Sequence, residues 1–231
     1  MMTTIADRLS IAQSRINQAA QKCSRMPSEI KLLAVSKTKP VSDIIEAYQA
    51  GQRLFGENYV QEGEAKIIQL QNDYADIEWH FIGPLQSNKT KVVAEHFDWL
   101  HTLSRDKIAK RLNDQRPANK APLQVCIQVN ISHEDSKSGI HATEVMALAE
   151  QIQLMPNLSL RGVMAIPTAT DDISVQQAEF SALARIYHDL QQRFDGIDTL
   201  SMGMSGDLDQ AIANGSTMVR IGSAIFGERG T

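Results

Sequence analysis

One feature constrains this chain more than any other: eight short apolar segments alternate with longer polar or amphipathic ones along its length. The segments at 32–37, 53–56, 77–82, 98–102, 123–130, 158–166, 199–202 and 218–221 read as strands, each brief and apolar at its centre. The stretches near 42–48, 59–71, 87–95, 105–112, 142–153, 175–193 and 207–213 read as helices. Strict alternation implies parallel strands joined by right-handed crossovers. Eight units suit a closed barrel better than a doubly wound sheet, and no glycine-rich dinucleotide turn follows the first strand. The expected fold is α/β, a single (β/α)8 TIM-type barrel domain over residues 1–231. An extra N-terminal helix precedes it, with Ile5, Leu9, Ala12, Ile16, Ala19 and Cys23 forming one apolar stripe.

Composition narrows the function classes. A formal net charge of -4 gives no general pull towards nucleic acid or an anionic membrane. Cys23 and Cys126 have no metal-binding or redox spacing and point to a reducing compartment. No apolar run is long enough to span a bilayer, and no leader pattern opens the chain. A cytoplasmic protein with neither nucleic acid nor membrane as partner is expected.

In a barrel, the carboxyl ends of strands distant in sequence converge. Lys37, Asn58, His80, Asn130 and Arg220 are then candidate neighbours at the mouth. Strand alternation sets Leu33, Val35 and Lys37 on one face, so the lysine caps an apolar column before Pro40 stops the strand. It reads either as a side chain extending to solvent or as an amine nucleophile for Schiff-base chemistry. A further clue lies in Arg220-Ile221-Gly222-Ser223-Ala224 after the eighth strand and Ser205-Gly206-Asp207 after the seventh. Glycine lets backbone approach a ligand closely, while serine hydroxyls and turn N–H groups donate to anions. The loops after strands seven and eight are the recurrent phosphate site of this architecture. A lysine opposite a phosphate cradle suggests pyridoxal 5′-phosphate.

Competing readings stand beside this one. The glycines also suit ordinary turns, and Ser205 also suits a cap for the helix from Asp207. His80 reads as a hydrogen-bonded strand residue, because no second ligand stands at a metal-binding spacing, and no metal site is expected. Ser136-Lys137-Ser138-Gly139 reads as a solvated turn, with anion binding the alternative. Arg220 shares strand parity with Met218 and Gly222 in a buried segment, and a buried arginine requires a partner.

Motifs along nearly the whole chain resemble the pyridoxal phosphate homeostasis protein family, related in fold to the barrel domain of alanine racemase. They include Ala34-Val35-Ser36-Lys37-Thr38-Lys39-Pro40, Phe55-Gly56-Glu57-Asn58-Tyr59 and Trp79-His80-Phe81-Ile82-Gly83-Pro84. Gly162-Val163-Met164-Ala165-Ile166, Ser201-Met202-Gly203-Met204-Ser205 and Val219-Arg220-Ile221-Gly222-Ser223-Ala224 continue the match. The resemblance implies that Lys37 forms the Schiff base and that Ser205, Gly222 and Ser223 contact the phosphate. It also implies Arg220 near the pyridine nitrogen and Asn58 near the ring. Gly206 and Ser223 stand where other residues also occur, often threonine at the latter, and neither difference removes a required group.

The function implied is non-catalytic: a monomer that holds, buffers or delivers pyridoxal phosphate to apo-enzymes that require it, supporting vitamin B6 and amino-acid homeostasis. An arginine at the ring nitrogen disfavours its protonation and makes the ring a weak electron sink. The chain ends at Thr231, so the additional C-terminal domain that completes the racemase-like site is expected to be absent. The alternative is a small pyridoxal-phosphate-dependent amino-acid racemase with Lys37 as one base. A third reading is a regulatory protein whose partner senses the loaded state.

Overall fold

The computed structural model describes residues 2–132, 134–135 and 137–228. Helix α1, Ile5–Lys22, starts from a reciprocal cap: Thr4 Oγ1 accepts from Asp7 N at 3.1 Å and Asp7 Oδ2 accepts from Thr4 N at 3.0 Å. Ile5, Leu9, Ala12, Ile16, Ala19 and Ala20 form its buried face, while Cys23 lies just past the helix end and is half-buried.

Eight strands follow: β1 Lys31–Val35, β2 Leu54–Glu57, β3 Glu78–Phe81, β4 Trp99–Leu103, β5 Leu123–Gln128, β6 Leu158–Met164, β7 Thr199–Ser201 and β8 Met218–Ile221. Each pairs in parallel with the next, and β8 returns to β1 with Leu33 opposite Arg220, closing the barrel. Helices α2 Val41–Gln49, α3 Val60–Leu70, α4 Thr90–His96, α5 Asp106–Gln115, α6 Val145–Gln153, α7 Ile173–Arg193 and α8 Leu208–Ala213 carry the crossovers. A single turn, α9 Ser223–Phe226, follows β8. This is the expected (β/α)8 barrel with an extra N-terminal helix.

Five strands end one or two residues short of their apolar runs, and for β1 and β5 the local reason is visible. Thr38 adopts φ 64°, a left-handed conformation no strand admits, so the chain turns around Lys37 before it reaches Pro40. Asn130 leaves the β5 ladder because its side chain bonds its own loop, Nδ2 donating to Glu134 O at 2.9 Å. Helix α2 starts at Val41, directly behind Pro40, without a side-chain cap.

Strand alternation divides the core into an outer and an inner part. Phe55, Trp79, Phe81 and Leu100 face outward and pack with Ile44, Ile67, Val93 and Phe97 in the main cluster beneath the helices. Inside the barrel lie two smaller clusters, Leu33 with Ile82 and Met218, and Trp99 with Cys126 and Met164. The inward positions also carry His80, His101, Ser201 and Arg220, all buried.

Helix α1 packs against α2, α8 and α9. It also pins the loops at the barrel mouth: Arg8 Nε donates to Ile225 O at 2.6 Å, and Arg15 donates to Ser205 O at 2.8 Å. The extra helix thereby fixes the segments after β7 and β8.

Candidate functional site

Lys37 sits in the turn after β1 between two anchored neighbours. Ser36 is fully buried, its carbonyl accepting from Lys66 Nζ at 2.8 Å and its hydroxyl donating to Glu57. Thr38 N donates to Glu62 Oε1 at 2.6 Å. Lys66 closes the cluster, 3.0 Å from Glu57 Oε1 and 2.8 Å from Glu62 Oε1. One buried cation and two carboxylates, from β2 and α3, therefore clamp both flanks of Lys37. Burial pushes the Glu57 carboxyl above its ordinary value, although Lys66 and Ser36 oppose it. Among the described residues no acceptor holds Lys37 Nζ, whereas Lys39 Nζ donates to Glu228 O at 2.8 Å.

Lys37 lines a cavity of about 430 Å³ at the carboxyl ends of the strands, together with Asn58, Ser205, Arg220, Gly222 and Ser223. The six expected site residues thus share one wall system, although they leave β1, β2, β7 and β8. Val35, Ile82, Met164, Ile166 and Met204 supply apolar wall. Of these, sequence reasoning places only Val35 beside the site, in the apolar column that Lys37 caps. Met164 carried a signal, being the last residue of β6; Ile166 and Met204 lie outside regular elements, where periodicity gives no face.

Close backbone approach shapes the cavity at two points. A Cβ on Gly222 would stand 3.3 Å from Val35 Cβ, and one on Gly83 would meet Asn58 O at 2.0 Å. Only glycine at 83 lets the loop after β3 pass the Asn58 backbone. Asn58 Oδ1 is buried with no hydrogen-bond partner among the described residues, so the wall holds an acceptor open to a ligand or water. At the Gly222 turn, Gly222 O accepts from Ile225 N and Phe226 N, both at 2.9 Å. The N–H groups of Ser223 and Ala224 precede these and have no acceptor within the turn.

Arg220 is buried and, among the described residues, hydrogen-bonds to neutral oxygens: NH1 donates to Ser201 Oγ at 2.7 Å and NH2 to Ala165 O at 3.0 Å. Burial pulls it down to about 10, with Asp207 acting against the shift, so the guanidinium stays charged at neutral pH. The partner demanded by a buried arginine is thus a hydroxyl and a carbonyl.

Other candidates go elsewhere. His80 lies inside the barrel, bonded to Glu78 and His101. Asn130 serves its own loop. Ser205 does not cap α8, because Asp207 precedes that helix and its Oδ1 accepts from Met204 N at 2.7 Å. Ser136 lies outside the described residues; Lys137 and Ser138 line an adjoining cavity of about 330 Å³ that shares Asn58, Ile82 and Ile166 with the first. Among the described residues no cluster of His, Cys, Asp and Glu is placed to hold a metal. None of their helices is long and apolar enough to cross a membrane.

Residues 9–230 match the alanine racemase N-terminal domain family. The pyridoxal phosphate homeostasis protein of Vibrio alginolyticus is 58% identical over 230 residues, covering 99% of either chain. This chain belongs to the pyridoxal phosphate homeostasis protein family. The Pasteurella multocida (strain Pm70) member is 59% identical over 228 residues, 98% of each chain. Among solved structures, PipY of Synechococcus elongatus PCC7942 with PLP bound is 35% identical, with a TM-score of 0.84 over 97% of this chain and 100% of that one. Its form without PLP gives a TM-score of 0.86 at 36% identity.

Proposed function

We propose that this protein holds pyridoxal 5′-phosphate in the barrel-mouth cavity, covalently on Lys37, and acts in vitamin B6 and amino-acid homeostasis as a carrier without catalysis of its own. The observation that carries the reading is the convergence of Lys37, Asn58, Ser205, Arg220, Gly222 and Ser223 on one cavity. The residues fit the group: an amine, a donor-only guanidinium, an orphaned amide oxygen and a glycine-serine turn with N–H groups in excess. The cofactor supplies an aldehyde able to condense with a primary amine and a ring able to withdraw electrons.

This chain's residues do the rest. Ser205, Ser223 and the N–H groups at Gly222–Ala224 take the phosphate; Lys37 provides the amine; the apolar wall of Val35, Ile82 and Met164 shields the ring. Arg220 can only donate, so it engages the ring nitrogen as an acceptor and withholds the proton that a carboxylate there would stabilise. Electron withdrawal is thereby weakened, which disfavours carbanion chemistry and supports the carrier reading. Racemisation with two bases needs a second proton carrier, and among the described residues on the cavity wall the titratable side chains are Lys37 and Arg220. We read the protein as a cytoplasmic monomer that passes the cofactor to apo-enzymes.

The test is the visible spectrum of wild type and Lys37→Ala with added pyridoxal phosphate, followed by borohydride reduction and peptide mapping. The expected result is an adduct on Lys37 that the variant loses. An adduct found only on other lysines would overturn the assignment, and sustained exchange of an amino acid's α-proton by wild type would overturn the carrier reading in favour of a racemase.

A further inference from the structure

The barrel interior carries a chain of polar contacts that the cavity alone does not require. Arg220 NH1 donates to Ser201 Oγ at 2.7 Å; Ser201 Oγ lies 3.0 Å from His101 Nδ1; His101 Nε2 lies 2.8 Å from His80 Nδ1; and His80 Nε2 lies 2.8 Å from Glu78 Oε1. Ser201, His101 and His80 are fully buried. Glu78, the first residue of β3, opens instead on a depression at the amino end of the barrel, beside Lys31, Trp99 and Arg161. The contacts therefore run through the barrel from one end to the other.

The end groups fix the direction of every bond. A guanidinium only donates and a carboxylate only accepts. Glu78 must therefore receive the Nε2 proton of His80, which leaves Nδ1 of a neutral His80 as an acceptor. His101 then donates from Nε2, and its bare Nδ1 accepts the Ser201 hydroxyl proton, while Ser201 Oγ accepts from Arg220. Both rings are consistent with neutrality: burial lowers His80 despite the opposing Glu78, and burial, His80 and Arg220 together lower His101 well below its ordinary value. Burial is the largest influence on Glu78 and would raise it, but its interactions with His80, Lys31 and Trp99 together outweigh burial and the carboxyl is lowered.

The geometry points to Glu78, His80, His101 and Ser201 as a directional hydrogen-bond relay that positions the Arg220 guanidinium at the ligand cavity and links that cavity to the carboxylate at the opposite end of the barrel. These four are positioning residues; none lines the cavity itself. Trp99 supports the relay by stacking on His80, with ring centroids 5.0 Å apart and planes 13° from parallel. A filling role would be met by any pair of tautomers that satisfied the buried nitrogens. The relay admits one pair only. Its consequence for a bound cofactor rests on the function proposed above; the relay does not.

The test begins with ligand-free wild type, using long-range 1H–15N correlation of the histidine rings at pH 7. The expected spectrum shows His80 and His101 both neutral, protonated at Nε2 and bare at Nδ1. An Nδ1–H tautomer on either ring, or an imidazolium on either, would overturn the relay. The second arm is Ser201→Ala, with Ser201→Thr as the variant that keeps the hydroxyl. Alanine is expected to move the ring-nitrogen shifts of His80, which Ser201 does not touch, and to weaken pyridoxal phosphate binding about tenfold, while threonine restores both. Unchanged His80 shifts in Ser201→Ala, or cofactor affinity equal to wild type, would overturn the link to the cavity. Failure of wild type to take up the cofactor at all would defeat the functional proposal while leaving the tautomer result to decide the relay.

Discussion

The two ends of the barrel each hold an inward-reaching arginine and treat it oppositely. At the amino end, Arg161 Nε donates to Asp198 Oδ1 at 2.9 Å, NH1 donates to Gln124 Oε1 at 2.7 Å, and the guanidinium lies 4.9 Å from the centre of the Trp99 ring. Hydrogen bonding to Asp198 raises Arg161 above its ordinary value. At the carboxyl end, Arg220 has a hydroxyl and a carbonyl for partners, and burial lowers it to about 10. A carboxylate beside Arg220 would cancel its charge and compete with a ligand. The amino end is neutralised within the chain, whereas the carboxyl end keeps cationic and donor capacity for something that enters from outside.

The largest effect is expected where the carboxyl end is braced. Lys66→Met leaves Glu57 buried without its cation and should cost about 3–5 kcal/mol at pH 7, read from chemical denaturation. Glu57 is raised in the folded state, so the native protein binds its proton more tightly than the unfolded chain does. Its contribution to stability is full below the ordinary value of 4.5 and is lost as pH rises through the raised one. The Lys66→Met deficit should therefore shrink as pH falls through that window. A pH-independent deficit would show that the pair is not what the variant breaks.

Next in size, Arg220→Met should weaken pyridoxal phosphate binding by about 10- to 100-fold while changing stability by no more than about 1 kcal/mol, because relief of the buried charge offsets the lost bonds. Arg161→Met should instead leave ligand affinity at the wild-type value, with a stability cost of about 1 kcal/mol, as for an exposed pair. Equal effects of the two variants on ligand titration would erase the contrast between the ends. Smallest, Thr38→Gly should raise the free energy of unfolding by up to about 1 kcal/mol, read from chemical denaturation, since glycine occupies the left-handed region without the Cβ penalty at a modest entropic cost. Loss of stability there would mean that the turn carrying Lys37 is not strained.

Much of this was legible beforehand, and the legible part was local. Apolar runs such as 123–130 and the stripe from Ile5 to Ala19 report their own secondary structure, because strand and helix periods are written in neighbouring residues. Lys37, Arg220 and the Gly222-Ser223 turn could be nominated because a barrel brings strand ends together whatever their distance in sequence. His80 reads correctly as a hydrogen-bonded strand residue, yet its partner does not: His101 is 21 residues away, and Ser201 a further 100 from His101. Nothing in the composition of β3 points to either. The Lys66–Glu57–Ser36 cluster was hidden in the same way, since a lysine on an amphipathic helix resembles every solvated lysine until the helix is docked.

The sequence by itself determined that this chain alternates strand and helix eight times, closes as a barrel and carries the motifs of its family, because periodicity and turn chemistry act over a few residues. Only the tertiary structure decided which oxygen each buried cation meets, and hence that Arg161 is neutralised while Arg220 is held ready by neutral partners. Those choices depend on strand register and on the facing of inward side chains, and both are fixed by closing the barrel.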